Sequence, residues 1–341
     1  MKFIVFGLGA IGTYIGVSLL RSGQDVVFIE RPDSTLNLDE LQLKLEINGN
    51  EFSVGHPKVA ATVEDALGSA DVDTFAIAAV KSFDTPVLAS SLTGCGDRLR
   101  GVISFQNGVE NEAVLAEAVG ADKVIAGTLT SAVGRYGLGH VALERLRGIG
   151  LSGKHLSLPL LMDVMDKAGL RPSYYRDPAA MKWSKMLTNL LVNATSAILD
   201  MSPQEILDDP QAFNLETRQF RETLAVMRAY GYGIVDVPGT PVRALSFVMR
   251  WFPPALSRII LKNGIVKGRG AKMPSFHIDL SQGRKQLEVD YLNGAVVRAA
   301  QRVHLSAPVN RVLNETLAKI ACGEYAWSDF KHAPERLYQS L

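Results

Sequence analysis

At 341 residues, with 47% hydrophobic and 21% charged residues, the chain has the composition of an ordinary folded protein and length for about two domains, each with its own core. A formal net charge of +1 leaves no electrostatic footprint for nucleic acid, and two cysteines, Cys95 and Cys322, exclude a disulfide framework or cysteine metal cluster and fit a reducing cytoplasm. A membrane span needs about 18 uncharged apolar residues, and the nearest stretch, 244–266, is broken by Arg250, Pro253-Pro254, Arg258 and Lys262.

The first elements in chain order are strand, glycine turn, helix and strand. Phe3-Ile4-Val5-Phe6 predicts a buried parallel strand, and Gly7-Leu8-Gly9-Ala10-Ile11-Gly12 follows it directly. In a dinucleotide-binding turn the first glycine, Gly7, makes the tight turn. The second, Gly9, admits a pyrophosphate close to the backbone, and the third, Gly12, lets the helix lie on the strand. The helix N-terminus then offers unpaired N–H groups and a positive partial charge to phosphates. Residues 13–20 carry the helical apolar period, ended near Ser22-Gly23, and 26–29 form a second strand ending in Glu30-Arg31. A secretory leader is the competing reading of Lys2 and the apolar run. Arg21, Ser22, Gln24 and Asp25 stand where its small-residue cleavage site is needed.

Residues 41–54 alternate loosely around Asn48-Gly49, which predicts a short antiparallel hairpin inserted into the parallel rhythm. Strand-like runs return at 75–80, 102–105 and 124–129, a glycine-rich turn is expected at 134–139, and 170–175 closes the sheet-forming half. Lys81 follows the 75–80 run, at the strand edge that faces the ligand crevice in open parallel sheets. It is a candidate for cofactor phosphate or ribose, or for an anionic substrate, with a solvated lysine as the plain alternative. Asn107-Gly108 follows the next run and reads equally as a turn or as an amide reaching nicotinamide or substrate.

After Asp177-Pro178 long helical periods replace the strand-and-turn rhythm, giving domains of residues 1–177 and 178–341. A helix over 179–199 carries Lys185, Asn189 and Asn193 at i, i+4 and i+8, on one face that drifts by about forty degrees. Polar groups aligned on an otherwise apolar helix are costly unless something polar meets them, as a ligand cleft would. A solvent-facing stripe, with Lys182 as a further surface charge, is the alternative. Further helices are expected over 213–230, 240–267, 275–282 and 287–303, with a basic turn at 267–270. The 240–267 stretch is expected to pack on protein rather than lie on a membrane surface. Glu288 and Asp290 suit the dipole at the start of the 287–303 helix. Ala307-Pro308 starts a last helix to about Cys322, and the tail from Tyr325 is expected to be weakly ordered. The six histidines stand singly, without metal-binding spacing.

With these residues in place, the sequence resembles the ketopantoate reductase (2-dehydropantoate 2-reductase) family of NADPH-dependent oxidoreductases over most of its length. The glycine turn, Arg31, Val80-Lys81, Asn107-Gly108 and Ser275 match the family's pattern. So do Trp183, Lys185, Asn189 and Asn193 as W-x-K-x3-N-x3-N, and 288–294 as E-x-D-x-x-N-G. The resemblance implies an α/β, N-terminal Rossmann-type parallel-sheet domain followed by an all-helical C-terminal domain, with a 2-oxo acid held in a cleft. It implies a hydride to the ketone carbon and a proton from Lys185 to the alkoxide. A partly desolvated lysine, with its lowered pKa, suits that role, because its ammonium both stabilises the alkoxide and acts as acid.

Substrate contacts are implied for Asn189, Asn193 and Ser275, and Asn107 is placed between substrate and cofactor. Cofactor contacts are implied for Gly7, Leu8, Gly9, Ala10, Ile11, Gly12, Arg31, Lys81 and Glu288. An arginine ending the second strand accommodates the 2′-phosphate of NADP, whereas an acid there binds the 2′-hydroxyl of NAD. Arg31 stands at the family's position and implies NADP, while Glu30 admits NAD. The implied partner is a small 2-oxo acid or ketone, in cytoplasmic pantothenate biosynthesis, without nucleic acid, membrane or metal and with a homodimer admitted.

Three departures bear on the substrate. Met201-Ser202-Pro203-Gln204 stands where the family often has an asparagine, one residue is added between Arg284 and Glu288, and 240–270 is enlarged, apolar and basic. A larger apolar ketone or alcohol is therefore a second candidate substrate, and a nucleotide-binding protein without catalysis a third reading.

Overall fold

Alternation along the first strand already requires a sheet covered on both faces. In β1 (Lys2–Phe6), Phe3 and Val5 enter one core while Ile4 and Phe6 enter another. A computed structural model describes residues 1–30, 41–68, 73–269 and 272–341, excepting the side chains of 262–269. The chain divides into two units, Met1–Lys182 with Val237–Thr240, and Trp183–Asp236 with Pro241–Leu341.

The first unit contains β1, β2 (Asp25–Ile29), β3 (Gln42–Ile47), β4 (Asn50–Gly55), β5 (Lys58–Ala60), β6 (Thr74–Ala78), β7 (Gly101–Ser104) and β8 (Val124–Leu129). It continues with β9 (Ala132–Gly137), β10 (His140–Arg145), β11 (Ile149–Ser152) and β12 (Pro172–Tyr175). Its helices are α1 (Ala10–Arg21), α2 (Val63–Leu67), α3 (Thr85–Leu92), α4 (Asn111–Val119) and α5 (Leu158–Lys167). Eight strands form one sheet in the order β12-β11-β8-β7-β6-β1-β2-β5. It is mixed rather than wholly parallel, because β11 runs antiparallel to β8. The chain reaches β11 through a hairpin instead of a crossover helix, and a strand entered that way pairs antiparallel.

That hairpin, β9 and β10, joins β3 and β4 in a second sheet, β4-β3-β10-β9. Asn48 and Gly49 both have positive φ, 50° and 79°, as a two-residue hairpin turn demands. The glycine-rich stretch at 134–139 is mostly strand β9, with the turn only at Leu138-Gly139. The second sheet covers α1, where Tyr14 and Val17 share a core with Leu43, Leu45 and Val141. Burial pushes the Tyr14 phenol above its ordinary pKa.

The second unit is helical. α6 (Pro178–Leu190) begins in the first unit; α7 (Ala194–Leu199), α8 (Pro203–Asp208), α9 (Pro210–Ala229), α10 (Val242–Trp251), α11 (Pro254–Arg269), α12 (Ser275–Ser281), α13 (Ala295–Arg302), α14 (Pro308–Cys322) and α15 (Pro334–Tyr338) follow. The helix expected over 179–199 is two helices, because Val192 adopts φ +55°. A β-branched residue in that region carries roughly 1–3 kcal/mol of strain. The buried Glu216 of α9 compensates by accepting from Val192 N at 2.7 Å, from Thr195 Oγ1, and from Gln219 Nε2 at 2.8 Å.

Pro253-Pro254 likewise divides the 240–267 stretch into α10 and α11, with Pro254 at the first helical position, where its missing N–H is harmless. α11 then continues to Arg269, in place of the expected basic turn. The expected 287–303 helix opens instead with a π-helical turn, Asp290–Gly294, before α13. The tail is anchored rather than loose. Trp327 Nε1 donates to Ala197 O at 2.9 Å and His332 N to Leu199 O at 2.8 Å, satisfying carbonyls that the end of α7 leaves open. Lys331 and His277 both reach Asp200, just past α7, and their hydrogen bonds hold its carboxyl below its ordinary pKa, His277 foremost.

Glu216→Ala would leave three donors without their acceptor at a strained break. Urea unfolding should show a loss on the order of 3 kcal/mol, and a loss below about 1 kcal/mol would mean that the break is held by other contacts.

Candidate functional site

In the eight-stranded sheet β2 and β5 lie on one side of β1, while β6, β7 and β8 lie on the other. The switch point is between β1 and β6, and open α/β sheets bind ligands outside the carboxyl ends of such a pair. Gly7 turns there with φ +97°, and a Cβ on it would sit 3.1 Å from Val80 Cγ1. A Cβ on Gly12 would lie 1.9 Å from Gly7 O, so the packing of α1 on the turn forbids any side chain. A Cβ on Gly9 would meet nothing within 4 Å. Gly9 caps α1 in extended conformation, with no side-chain cap and no acid in the first turn. This open, uncapped helix N-terminus, with the N–H groups of Ala10 and Ile11, has the donor set and the room that a pyrophosphate requires.

Glu30 closes the turn from the end of β2, accepting from Leu8 N at 2.7 Å. Arg31 lies outside the described residues. Lys81 is partly buried beyond β6 and precedes the 3-10 turn Ser82–Asp84. Asn107, beyond β7, has its carbonyl fixed by Ser82 Oγ at 2.8 Å and Asn111 Nδ2 at 2.6 Å. The structure therefore brings the glycine turn, Lys81 and Asn107 to one edge of the first unit.

Two residues unmarked by sequence reasoning lock this edge. Gln106 is buried and donates to Val80 O at 3.1 Å and Thr85 Oγ1 at 2.7 Å. Lys182, a surface charge in the solvent-facing alternative, is only 5% exposed; its Nζ donates to Gln106 O at 2.7 Å and lies 2.7 Å from Glu112 Oε1. A buried ammonium so placed satisfies one carbonyl beyond β7 and one within β8, that of Gly127, and is neutralised by a carboxylate. Its sequence signal was a lysine within an apolar helical run, which exposure explains equally well.

In the second unit, Lys185 and Asn189 are partly buried one turn apart on α6. Asn193 does not continue their face, since it follows the break and caps α7. It is 5% exposed, and its Oδ1 accepts from Phe276 N at 3.2 Å, with Ser275 Oγ 3.4 Å from its carboxamide. Asn193 and Ser275 are thus brought together, with Ser275 exposed at the first turn of α12. Glu288 is 6% exposed, immediately before the π-helical turn. π turns inside helices occur often at functional sites.

His140, Glu46 and Glu51 place three ligand atoms within 4.8 Å of one another on the second sheet. Lys44 Nζ, 3.3 Å from Glu51, already offsets one of these carboxylates, and His140 Nε2 is hydrogen-bonded to Glu46 at 2.8 Å.

Residues 3–152 match the family described as Ketopantoate reductase PanE/ApbA, and residues 177–321 match Ketopantoate reductase PanE/ApbA C terminal. A 2-dehydropantoate 2-reductase of Archaeoglobus fulgidus is 26% identical over 323 residues, covering 94% of this chain and 97% of its own. The crystal structure of a PanE/ApbA family ketopantoate reductase from Ralstonia eutropha JMP134 superposes with a TM-score of 0.76 at 25% identity, covering 95% of this chain and 99% of that one. D-mandelate dehydrogenase with NADH and anilino(oxo)acetate gives the same TM-score, 0.76, at 20% identity over 95% of this chain and 99% of that one, a likeness of fold.

Gly9 and Gly12 separate folding from binding. Gly12→Ala should fail to fold stably, whereas Gly9→Ala should keep its unfolding free energy within about 1 kcal/mol and lose dinucleotide binding in a fluorescence titration. Unimpaired binding in Gly9→Ala would remove the pyrophosphate from this turn.

Proposed function

Because the chain belongs to the ketopantoate reductase family, we propose that it reduces the ketone of a 2-oxo acid, ketopantoate or a close analogue, at the expense of NADPH. Residues 1–177 serve as the nucleotide-binding part and 178–341 as the catalytic part, in the cytoplasm. The observation that carries this reading is the partly buried Lys185, with Asn189 one turn on, in a helix where Met186 and Leu187 between them are buried.

When bound, the reduced nicotinamide supplies a hydride to the ketone carbon. Lys185 Nζ holds the ketone oxygen by a hydrogen bond and transfers its proton there as the carbonyl π pair becomes the new oxygen lone pair, leaving an alcohol. Asn189 and Ser275 hold the substrate's remaining polar groups. Asn193 presents Ser275, its own carboxamide being engaged by Ser275 and Phe276. The Gly7 to Gly12 turn, Lys81, Asn107 and Glu288 hold the dinucleotide, and Arg31 takes the 2′-phosphate. Lys185→Ala should lower kcat for ketopantoate by roughly 10²–10⁴; an unchanged rate would refute the acid role.

One observation favours NADH as a second reading. Glu30 is fastened to Leu8 N, beside the turn, where a carboxylate suits a ribose hydroxyl and repels a phosphate. The two readings separate in kinetics with both cofactors. If Arg31 reads the phosphate, Arg31→Ala raises KM for NADPH by roughly ten- to a hundredfold more than for NADH. If Glu30 reads the ribose, Glu30→Ala weakens NADH selectively and Arg31→Ala affects both cofactors alike.

A further inference from the structure

α10 has more apolar surface than the core uses. Val242, Ser246 and Met249 turn inward and are buried, while Phe247 and Trp251, one turn apart on the outer side, are 58% and 64% exposed. The adjoining start of α11 adds Leu256, Ile259 and Ile260, at 41%, 68% and 44%. The Phe247 ring meets Phe252, the residue that ends α10, edge-on at 6.0 Å between centroids. Isolated apolar residues on a surface are ordinary, but an apolar face of this kind marks a partner.

Charge identifies the kind of partner. Between Asp236 and Asp279 the sequence contains Arg243, Arg250, Arg258, Lys262, Lys267, Arg269 and Lys272, and no Asp or Glu. Since the whole chain carries only +1, the rest of it is net acidic and the positive charge is concentrated on this segment. Arg250 lies with its guanidinium 4.7 Å from the Trp251 ring centroid, placing a cation beside an aromatic anchor. Exposed aromatic and branched side chains rimmed by arginine are what an interfacial helix presents to lipid. Among the described residues no helix is long and apolar enough to cross a membrane, so contact would be confined to the surface. A second copy of the chain fits less well, because a symmetric contact sets these cations against themselves without an acid in the segment to pair with them.

We propose that the outer face of α10 and the start of α11 docks on an anionic phospholipid surface. The full chain is tested by co-sedimentation with vesicles of phosphatidylcholine alone and of phosphatidylcholine with phosphatidylglycerol. Binding is expected only to the anionic vesicles, weakening as salt is raised, with a blue shift in tryptophan emission that Trp251→Phe removes. The double variant Phe247→Ser/Trp251→Ser should lose binding, and Arg243→Glu/Arg250→Glu should weaken it at least about tenfold. All four positions are exposed, so circular dichroism and the unfolding midpoint should stay unchanged. Absence of binding to either vesicle, or equal binding to both, overturns the proposal. So does a dimer in light scattering that Trp251→Ser dissociates, which would assign the face to a second copy.

Discussion

Glu216 is fully buried, and the three donors that converge on it come from both sides of the break between α6 and α7 and from its own helix. Had the apolar period of 179–199 continued as one helix, Asn193 would follow Lys185 around its face; the acceptor supports the break instead. With it, Val192 is held at positive φ, the chain steps sideways, and Asn193 turns to the start of α12. The same stripe of α9 carries the constraint onward. Asn293 donates to Gln219 Oε1 and Asn310 Oδ1, and Glu222 accepts from Val309 N and Asn310 N at the start of α14, where an acid also opposes the helix dipole. A buried polar network of this kind specifies one arrangement, since any other leaves members unpaired in a low-dielectric interior.

The first unit follows the same rule by different means. Apolar residues fill both faces of its large sheet, but the loops at its ligand edge are fixed by polar side chains. Gln106 ties the end of β7 to Val80 O, Lys182 ties Gln106 O to Glu112, and Glu30 ties β2 to the glycine turn. Packing places the strands, and hydrogen bonds place the loops between them. That division follows from directionality, because apolar contact tolerates small shifts whereas buried donors and acceptors do not.

This division also explains what could be read from sequence. The strands β1, β2, β6, β7 and β8, the glycine turn and the Asn48-Gly49 hairpin rest on periods and turn chemistry within a few residues, and they stand where expected. The break at Val192 has no glycine or proline to announce it; its cause is Glu216, 24 residues away and hidden among the acids of a long helix. The antiparallel entry of β11, the burial of Lys182 and the anchoring of the tail by Trp327 depend equally on partners distant in sequence. Pro253-Pro254 is the contrasting case, since the signal that divides α10 from α11 is printed in the chain itself.

Several residues of the ordered motifs are committed to the fold. Within E-x-D-x-x-N-G, Asp290 is held by Arg298 at 3.0 Å and by Asn314, Asn293 is buried in the α9 network, and Gly294 lies where a Cβ would meet Asp290 Oδ1 at 2.4 Å. Those three shape the π-helical turn and leave Glu288 as the member positioned ahead of it. Within W-x-K-x3-N-x3-N, Trp183 packs on Tyr232 and Asn193 fastens α12. The stretch 201–204, where the family often has an asparagine, is committed in this chain to starting a helix. Met201 O accepts from Ser196 Oγ, and Ser202 forms a reciprocal capping box with Glu205. Several motif positions thus serve the fold, and their spacing alone does not separate them from ligand contacts.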